Sequence, residues 1–369
     1  MRWNEVPILV QQLVPVESYQ VKRLGLGFYI LFLFANITIF LLPLGCNDNA
    51  LVFIKSGCPP NLPDIVPRSA YDSPIWHPGG KLIGFNHTPL VEVTYPYGAD
   101  CMGVQHFQDD SAGFWLMNND GSNIHRIFPY PPLLPAWSAD GEWIAFCLAD
   151  NQDNVNIFKM RFTGNGFDTT TLVQLTRAGR NFFPTWNPHG HWIAFSASLP
   201  VGYQGTWVIN DTGLGSDAQQ LGLSNFAAWS LDGIDLMAIG TSFVVYHPFD
   251  HRPADTLFEA DPANNYGYPS YSSTGDLVGF VSGLSDANQN IWLMDTMGHN
   301  LRQLTTEGVD RDQGKPFSWS PNSSQIIYAS YRSSDWSMQN GVLWMLDITT
   351  HQKKQLTFNG SISSSTKRM

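Results

Sequence analysis

Short apolar runs of strand length, each introduced by a tight turn, recur along most of this chain. Six times an aromatic residue, a polar residue and a turn precede a run of strand formers. Trp76-His77-Pro78-Gly79-Gly80 leads into Leu82-Ile83-Gly84-Phe85, and Trp137-Ser138-Ala139-Asp140-Gly141 into Trp143-Ile144-Ala145-Phe146. Trp186-Asn187-Pro188-His189-Gly190 leads into Trp192-Ile193-Ala194-Phe195, and Trp229-Ser230-Leu231-Asp232-Gly233 into Leu236-Met237-Ala238-Ile239. Tyr271-Ser272-Ser273-Thr274-Gly275 precedes Leu277-Val278-Gly279-Phe280, and Trp319-Ser320-Pro321-Asn322-Ser323 precedes Gln325-Ile326-Ile327-Tyr328. The aromatics stand about 42 to about 61 residues apart, the size of one blade in a radial β architecture. One such sheet cannot bury both faces alone, whereas six in a ring can.

The second half of each repeat recurs as well. Phe114-Trp115-Leu116-Met117, Ile291-Trp292-Leu293-Met294 and Val342-Leu343-Trp344-Met345 read as third strands, and Gln-Leu-Thr closes repeats at 174–176, 303–305 and 355–357. The pattern predicts an all-β protein, a six-bladed β-propeller of four-stranded antiparallel blades, with Asp-Gly and Pro-His-Gly as hairpin turns. Composition supports this: aromatics reach 13% and charged residues only 14%, with 32 Gly and 24 Pro. The formal charge of −11, with 20 scattered basic residues, argues against a nucleic-acid partner.

Trp-Ser-Pro-Asp-Gly followed by Ile-Ala-Phe, with a Leu-Thr close, resembles the propeller repeat of the TolB family. It is also similar to the propeller that covers prolyl oligopeptidases. The resemblance spans about residues 68–358 and is weakest in the fourth repeat, which has Ile234-Asp235 and no Leu-Thr ending. It implies the propeller alone: roughly 20 residues before the first repeat are too few for the small α/β domain of TolB. Some 11 residues after the last are too few for a hydrolase domain, and no Gly-x-Ser-x-Gly elbow occurs.

Residues 24–45 contain no charge, and at ~1.5 Å per residue they reach across a hydrocarbon core of about 30 Å. Lys22 and Arg23 directly before them place residues 1–23 in the cytoplasm and the repeats outside, as periplasmic or cell-surface elements. Leu44-Gly45-Cys46 resembles the end of a bacterial lipoprotein signal, with Cys46 as the lipidation candidate; Pro43 and the long leading segment depart from that pattern. Lipoprotein and uncleaved transmembrane helix both remain open, and both tether the propeller to a membrane. The expected organisation is therefore a cytoplasmic segment (1–23), an anchor or signal (24–45), a linker (46–67), the propeller (68–358) and a tail (359–369). Cys147, after Ile144-Ala145-Phe146, reads as a buried free thiol, and Cys58 and Cys101 form a candidate disulfide pair.

The repeated Trp and Tyr read as packing between blades, and Asp140 and Asp232 as turn caps. His189-Gly-His191 and His247-Pro-Phe-Asp250-His251 lack the spacing of a zinc site, and no metal or other cofactor is expected. The distinctive feature is a 27-residue connection between Phe85 and Gly113, where other repeats have about 10; long structureless loops are often functional. It emerges on the face opposite the Asp-Gly turns, together with segments 177–183, 266–268 and 307–315. Tyr95, Tyr97, His106, Asp109, Asp110, Arg180, Tyr266, Asp310, Arg311 and Asp312 are thus candidates for a partner-binding rim. The expected function is a non-catalytic, monomeric interaction module of the cell envelope with a protein partner. The alternatives are a propeller enzyme, lyase or hydrolase, with a central-channel site, and an oligopeptidase-type propeller working with a separate catalytic chain.

Overall fold

The computed structural model describes residues 52–54, 71–94, 102–107, 110–150, 154–177, 179–198, 202–212, 217–250, 252–259, 264–283, 289–309, 314–330 and 341–358. Six four-stranded antiparallel sheets form the ring, each built from strands in chain order from the channel outward. The innermost strands are Tyr71–Trp76, Leu133–Trp137, Asn181–Trp186, Asn225–Trp229, Gly267–Tyr271 and Phe317–Trp319. Each ends on the aromatic residue of its repeat, so the sequence register and the structural register coincide. Among the described residues no helix is long and apolar enough to cross a membrane, and segment 24–45 lies outside them.

The core is divided into six clusters, one at each seam between neighbouring blades. A single blade therefore leaves an apolar face bare, which is why the repeat is stable only in a closed ring. Among the described residues no strand is exchanged between the first and last blades. That seam is closed by Trp76 N–H donating to Ser318 Oγ at 3.0 Å, Tyr71 N–H to Gly341 O at 3.1 Å, and the cluster joining Phe85 and Met117 to Ile327 and Leu343.

The conserved spacing of the turn has a direct cause. After the aromatic, Ser138 Oγ donates to Asp140 Oδ1 at 2.5 Å and accepts from Trp143 N–H at 2.9 Å, closing the hairpin that leads into the second strand. Ser230 with Asp232 and Asp235 does the same, as do Ser320 with Asn322 and Gln325. The Gln-Leu-Thr close is equally specific. Thr176, Thr305 and Thr357 hydroxyls accept from the N–H of Ile157, Ile291 and Leu343, each at 2.9 Å. The preceding Gln174, Gln303 and Gln355 side chains donate to the carbonyl of the same threonine. Cys147 is buried and free, and burial pushes its thiol pKa up, so it packs as a small apolar group.

The connection after blade 1 differs from the structureless loop expected of it. Leu90–Thr94 and Met102–Phe107 pair as a hairpin, and Val52–Ile54 adds a third strand on the outer edge of the second. The sequence alternation Val91-Glu92-Val93-Thr94 suits a pleated strand. The linker thus contributes to folded structure through 52–54.

Candidate functional site

Five of the six innermost strands share a backbone irregularity at one level of the channel. Three residues before the repeat aromatic, Ser73, Leu134, Phe183, Phe226 and Tyr268 have φ of 49°, 55°, 57°, 50° and 55°. Each sits where the pairing register with the second strand shifts, so each marks a bulge. Left-handed φ in residues of this bulk is strained, by about 1–3 kcal/mol each, and persists where the fold over-determines it. The next residue is proline in four cases (Pro74, Pro135, Pro184, Pro269), which lacks a ladder donor and disfavours helical φ/ψ before it. In blade 6 the proline comes one residue earlier, at Pro316, which cannot take positive φ. That strand pairs without a shift, and Lys315 stands at the entry to the level.

These six positions form a ring of unequal side chains at the end of the channel away from the Asp-Gly turns. Phe183, Phe226 and Tyr268 pack together, with centroids 4.7 Å (Phe183–Phe226), 4.8 Å (Phe226–Tyr268) and 5.4 Å (Phe183–Tyr268) apart. Below them a cavity of about 440 Å³ runs down to the turns, lined by Ala136, Ala227 and Ala228, by prolines, and by serines including Ser270 and Ser318. The repeat tryptophans wall it. Three of their indole N–H groups are committed to the neighbouring blade: Trp186 donates to Ala136 O, Trp229 to Thr185 O and Trp319 to Ser270 O, at 3.1, 3.2 and 3.1 Å, whereas Trp76 donates to Gly80 O within its own blade. These indoles are structural anchors as well as lining.

Of the rim candidates, Arg180 is half-buried and its backbone bridges to Val155; Asp110 is exposed in a turn at the end of the insertion. His106 lies in the hairpin strand opposite Glu92. Tyr266 sits lower than a rim residue would, 8% exposed and packed against Phe243 and Phe280 in the seam between blades 4 and 5. The remaining candidates, Tyr95, Tyr97, Asp109, Asp310, Arg311 and Asp312, lie outside the described residues, as do Cys46, Cys58 and Cys101. The level containing Phe183, Phe226 and Lys315 was not singled out from the sequence. The offset of proline from the repeat aromatic, two residues in four repeats and three in the sixth, is the signal that marks it.

On the opposite face His247 is held between two carboxylates. Its Nδ1 lies 2.7 Å from Asp235 Oδ1 and its Nε2 3.0 Å from Asp255 Oδ2, with Arg252 Nη2 3.1 Å from Nδ1. Burial lowers the imidazole pKa, but the bonds to Asp235 and Asp255 outweigh both burial and the Arg252 charge, and the net displacement is upward from 6.5. The raised folded-state value means that this contribution to stability is full below about pH 6.5 and fades as pH rises through the folded-state pKa. Thermal melts of wild type and His247→Gln across pH 5–9 should therefore differ most at the acid end and converge toward the alkaline end. A constant difference would show that the imidazole does not titrate against these partners. Among the described residues no cluster of three or more His, Cys, Asp or Glu side chains suited to a metal ion occurs.

No family model and no curated protein matches the chain. Among solved structures it is similar to a protein assigned as TolB from Agrobacterium tumefaciens, with a TM-score of 0.51 and 15% identity over 64% of this chain and 84% of that one. It is similar also to TolB from Acinetobacter baumannii, with a TM-score of 0.52 and 16% identity over 81% of this chain. There it spans 65% of the longer protein. A puromycin-hydrolysing peptidase of Mycobacterium tuberculosis aligns with a TM-score of 0.49 and 12% identity, over 78% of this chain and 53% of that one. The ring of six four-stranded blades is thus the fold that this chain has in common with the TolB proteins.

Proposed function

We propose that this protein is a membrane-tethered, extracytoplasmic propeller that captures a protein partner of the cell envelope on the face bearing the blade 1 insertion, without chemistry of its own. The observation that carries this reading is the folded insertion. Among the described residues one blade alone carries an extra three-stranded sheet, and its third strand, Val52–Ile54, comes from the segment that follows the predicted anchor. The edges of that sheet, Val52–Ile54 and Leu90–Thr94, each have one side free of strand partners among the described residues. A partner strand can add there through main-chain bonds. The opposite face is built from short repeated turns whose polar groups are used within the hairpins and between blades, as in the 2.7 Å bond from Asn187 Nδ2 to Gly233 O.

Replacing residues 88–111 by a short Gly/Ser linker should leave the propeller folded, with an unchanged β-sheet circular dichroism spectrum, and abolish partner capture from solubilised membranes. The full chain should sediment with membranes, and deletion of residues 1–46 should release it. Native-affinity capture by the loop-replaced variant would move the binding face elsewhere. Full-length protein in the soluble fraction would remove the tether from this reading.

A further inference from the structure

Among the described residues lining the central cavity, Lys315 is the one that carries a charge. Its backbone N–H donates to Ser73 Oγ at 3.2 Å, which fixes the start of its side chain at the level of the aromatic ring. Asp72, the carboxyl that neighbours Gly314, is occupied elsewhere: its Oδ1 accepts from Asn86 Nδ2 at 3.2 Å, and it is bonded to Ser73. No acceptor for the Lys315 ammonium occurs among the described residues. Lys315 is half-buried, and the burial of its ammonium lowers its pKa to about 8, so the group is still mainly cationic at neutral pH. An ammonium in this position costs stability unless something pairs with it.

Around the ring, Phe183 stands three blades from Lys315 and therefore across the channel, with Phe226 and Tyr268 on the arc between them. The space between is walled by alanines, prolines and serines, and the hydroxyls of Ser138, Ser230, Ser272 and Ser273 are spent on Asp140, Asp232, Asp276 and the Ser320 carbonyl, which leaves few donors for a sugar or a polyanion. A volume of about 440 Å³ falls within the ~300–1,000 Å³ of small-ligand sites.

We propose that the channel binds an amphipathic monocarboxylate, its carboxylate on the Lys315 ammonium and its apolar body against Phe183, Phe226 and Tyr268. One cation selects one negative charge. A second anionic group would be buried without a partner, and a cationic ligand would meet Lys315 directly. The carboxylate belongs either to a free small acid or to the C-terminus of a polypeptide ending in an apolar residue. This site is independent of partner capture by the insertion, and loss of either leaves the other standing.

The test uses the full chain in a nonionic detergent, with isothermal titration of 4-phenylbutyrate against neutral 4-phenylbutanol. A second pair of probes is the peptide Gly-Gly-Gly-Phe with a free and with an amidated C-terminus. The acid should bind about tenfold or more tightly than the alcohol, as expected of a charge-assisted bond. Tighter binding of the free-carboxylate peptide assigns the source to a chain terminus, and tighter binding of phenylbutyrate to a small acid. Lys315→Met should abolish the preference for acid and raise the melting temperature, since it removes a desolvated charge. Lys315→Arg should keep the preference. Equal binding of acid and alcohol, or a preference that survives in Lys315→Met, would overturn the proposal. A fall in melting temperature in Lys315→Met would also overturn it, by showing the ammonium to be part of a structural ion pair.

Discussion

Trp186→Ala is expected to destabilise the protein by ~3–5 kcal/mol, the range for removing a large aromatic from a packed core. Trp186 is 9% exposed and belongs to the cluster that joins blades 2 and 3, against Leu134, Ala136, Cys147 and Ile157. Its truncation would open a void at a seam between rigid sheets, where relaxation cannot close it. It would also remove the bond that the indole N–H donates to the Ala136 carbonyl across the seam at 3.1 Å. Trp186→Phe keeps much of the packing but not the donor, so its stability should fall between the two. Urea unfolding followed by circular dichroism measures this order. Equal stability of the Ala variant and wild type would mean that the indole does not anchor the seam.

The ring was legible in the sequence because each blade repeats a hydrogen-bonded device as well as an apolar pattern. The serine after the aromatic must hold a turn Asp or Asn and a backbone N–H together, and the threonine of Gln-Leu-Thr must reach the third strand; both requirements fix residue type and spacing. Asp140 and Asp232 act as the turn caps expected of them, and the tryptophans as inter-blade anchors. The level of bulges is different. Ser73, Leu134, Phe183, Phe226 and Tyr268 share no chemistry, and none is a residue type that favours positive φ. What they share is a place relative to the bend of the inner strand, set by tertiary closure and followed by proline in four of five cases. The strands of the insertion were hidden for a related reason. Val91-Glu92-Val93-Thr94 alternates as a strand does, but its partner at 102–107 is completed on its other edge by 52–54, and pairing across the latter distance leaves no local mark. Tyr266 is another case: tyrosine in a loop-like stretch reads as a contact residue, and its ring packs in the seam with Phe243 and Phe280.

The seam between blades 2 and 3 should also fail when one side of its ion pair is removed. Lys159, on the third strand of blade 2, reaches Asp211, which follows the third strand of blade 3, at 3.2 Å; the two side chains are only 10% and 11% exposed. The ammonium lies 4.5 Å from the Trp143 ring centroid and 5.8 Å from that of Trp186, so it is enclosed by aromatic faces wherever it is not facing the carboxylate. Asp211→Ala would leave that charge buried with ring contacts alone. Cation–π attraction returns about 0.5–2 kcal/mol, less than the ~3–5 kcal/mol expected from breaking a buried pair. His191 cannot substitute, since its Nδ1 sits 3.4 Å from the same Asp211 carboxylate and would add like charge if protonated. The companion variant Lys159→Met with Asp211→Leu removes both charges and keeps apolar bulk in the seam. It should recover most of the lost stability, because the penalty comes from the orphaned ion more than from loss of the bond. In a double-mutant cycle read by urea unfolding, this predicts a coupling energy of the same order as the single loss. If Asp211→Ala and the double variant are equally unstable, the defect is one of packing at Asp211, and the ion pair does not hold the seam.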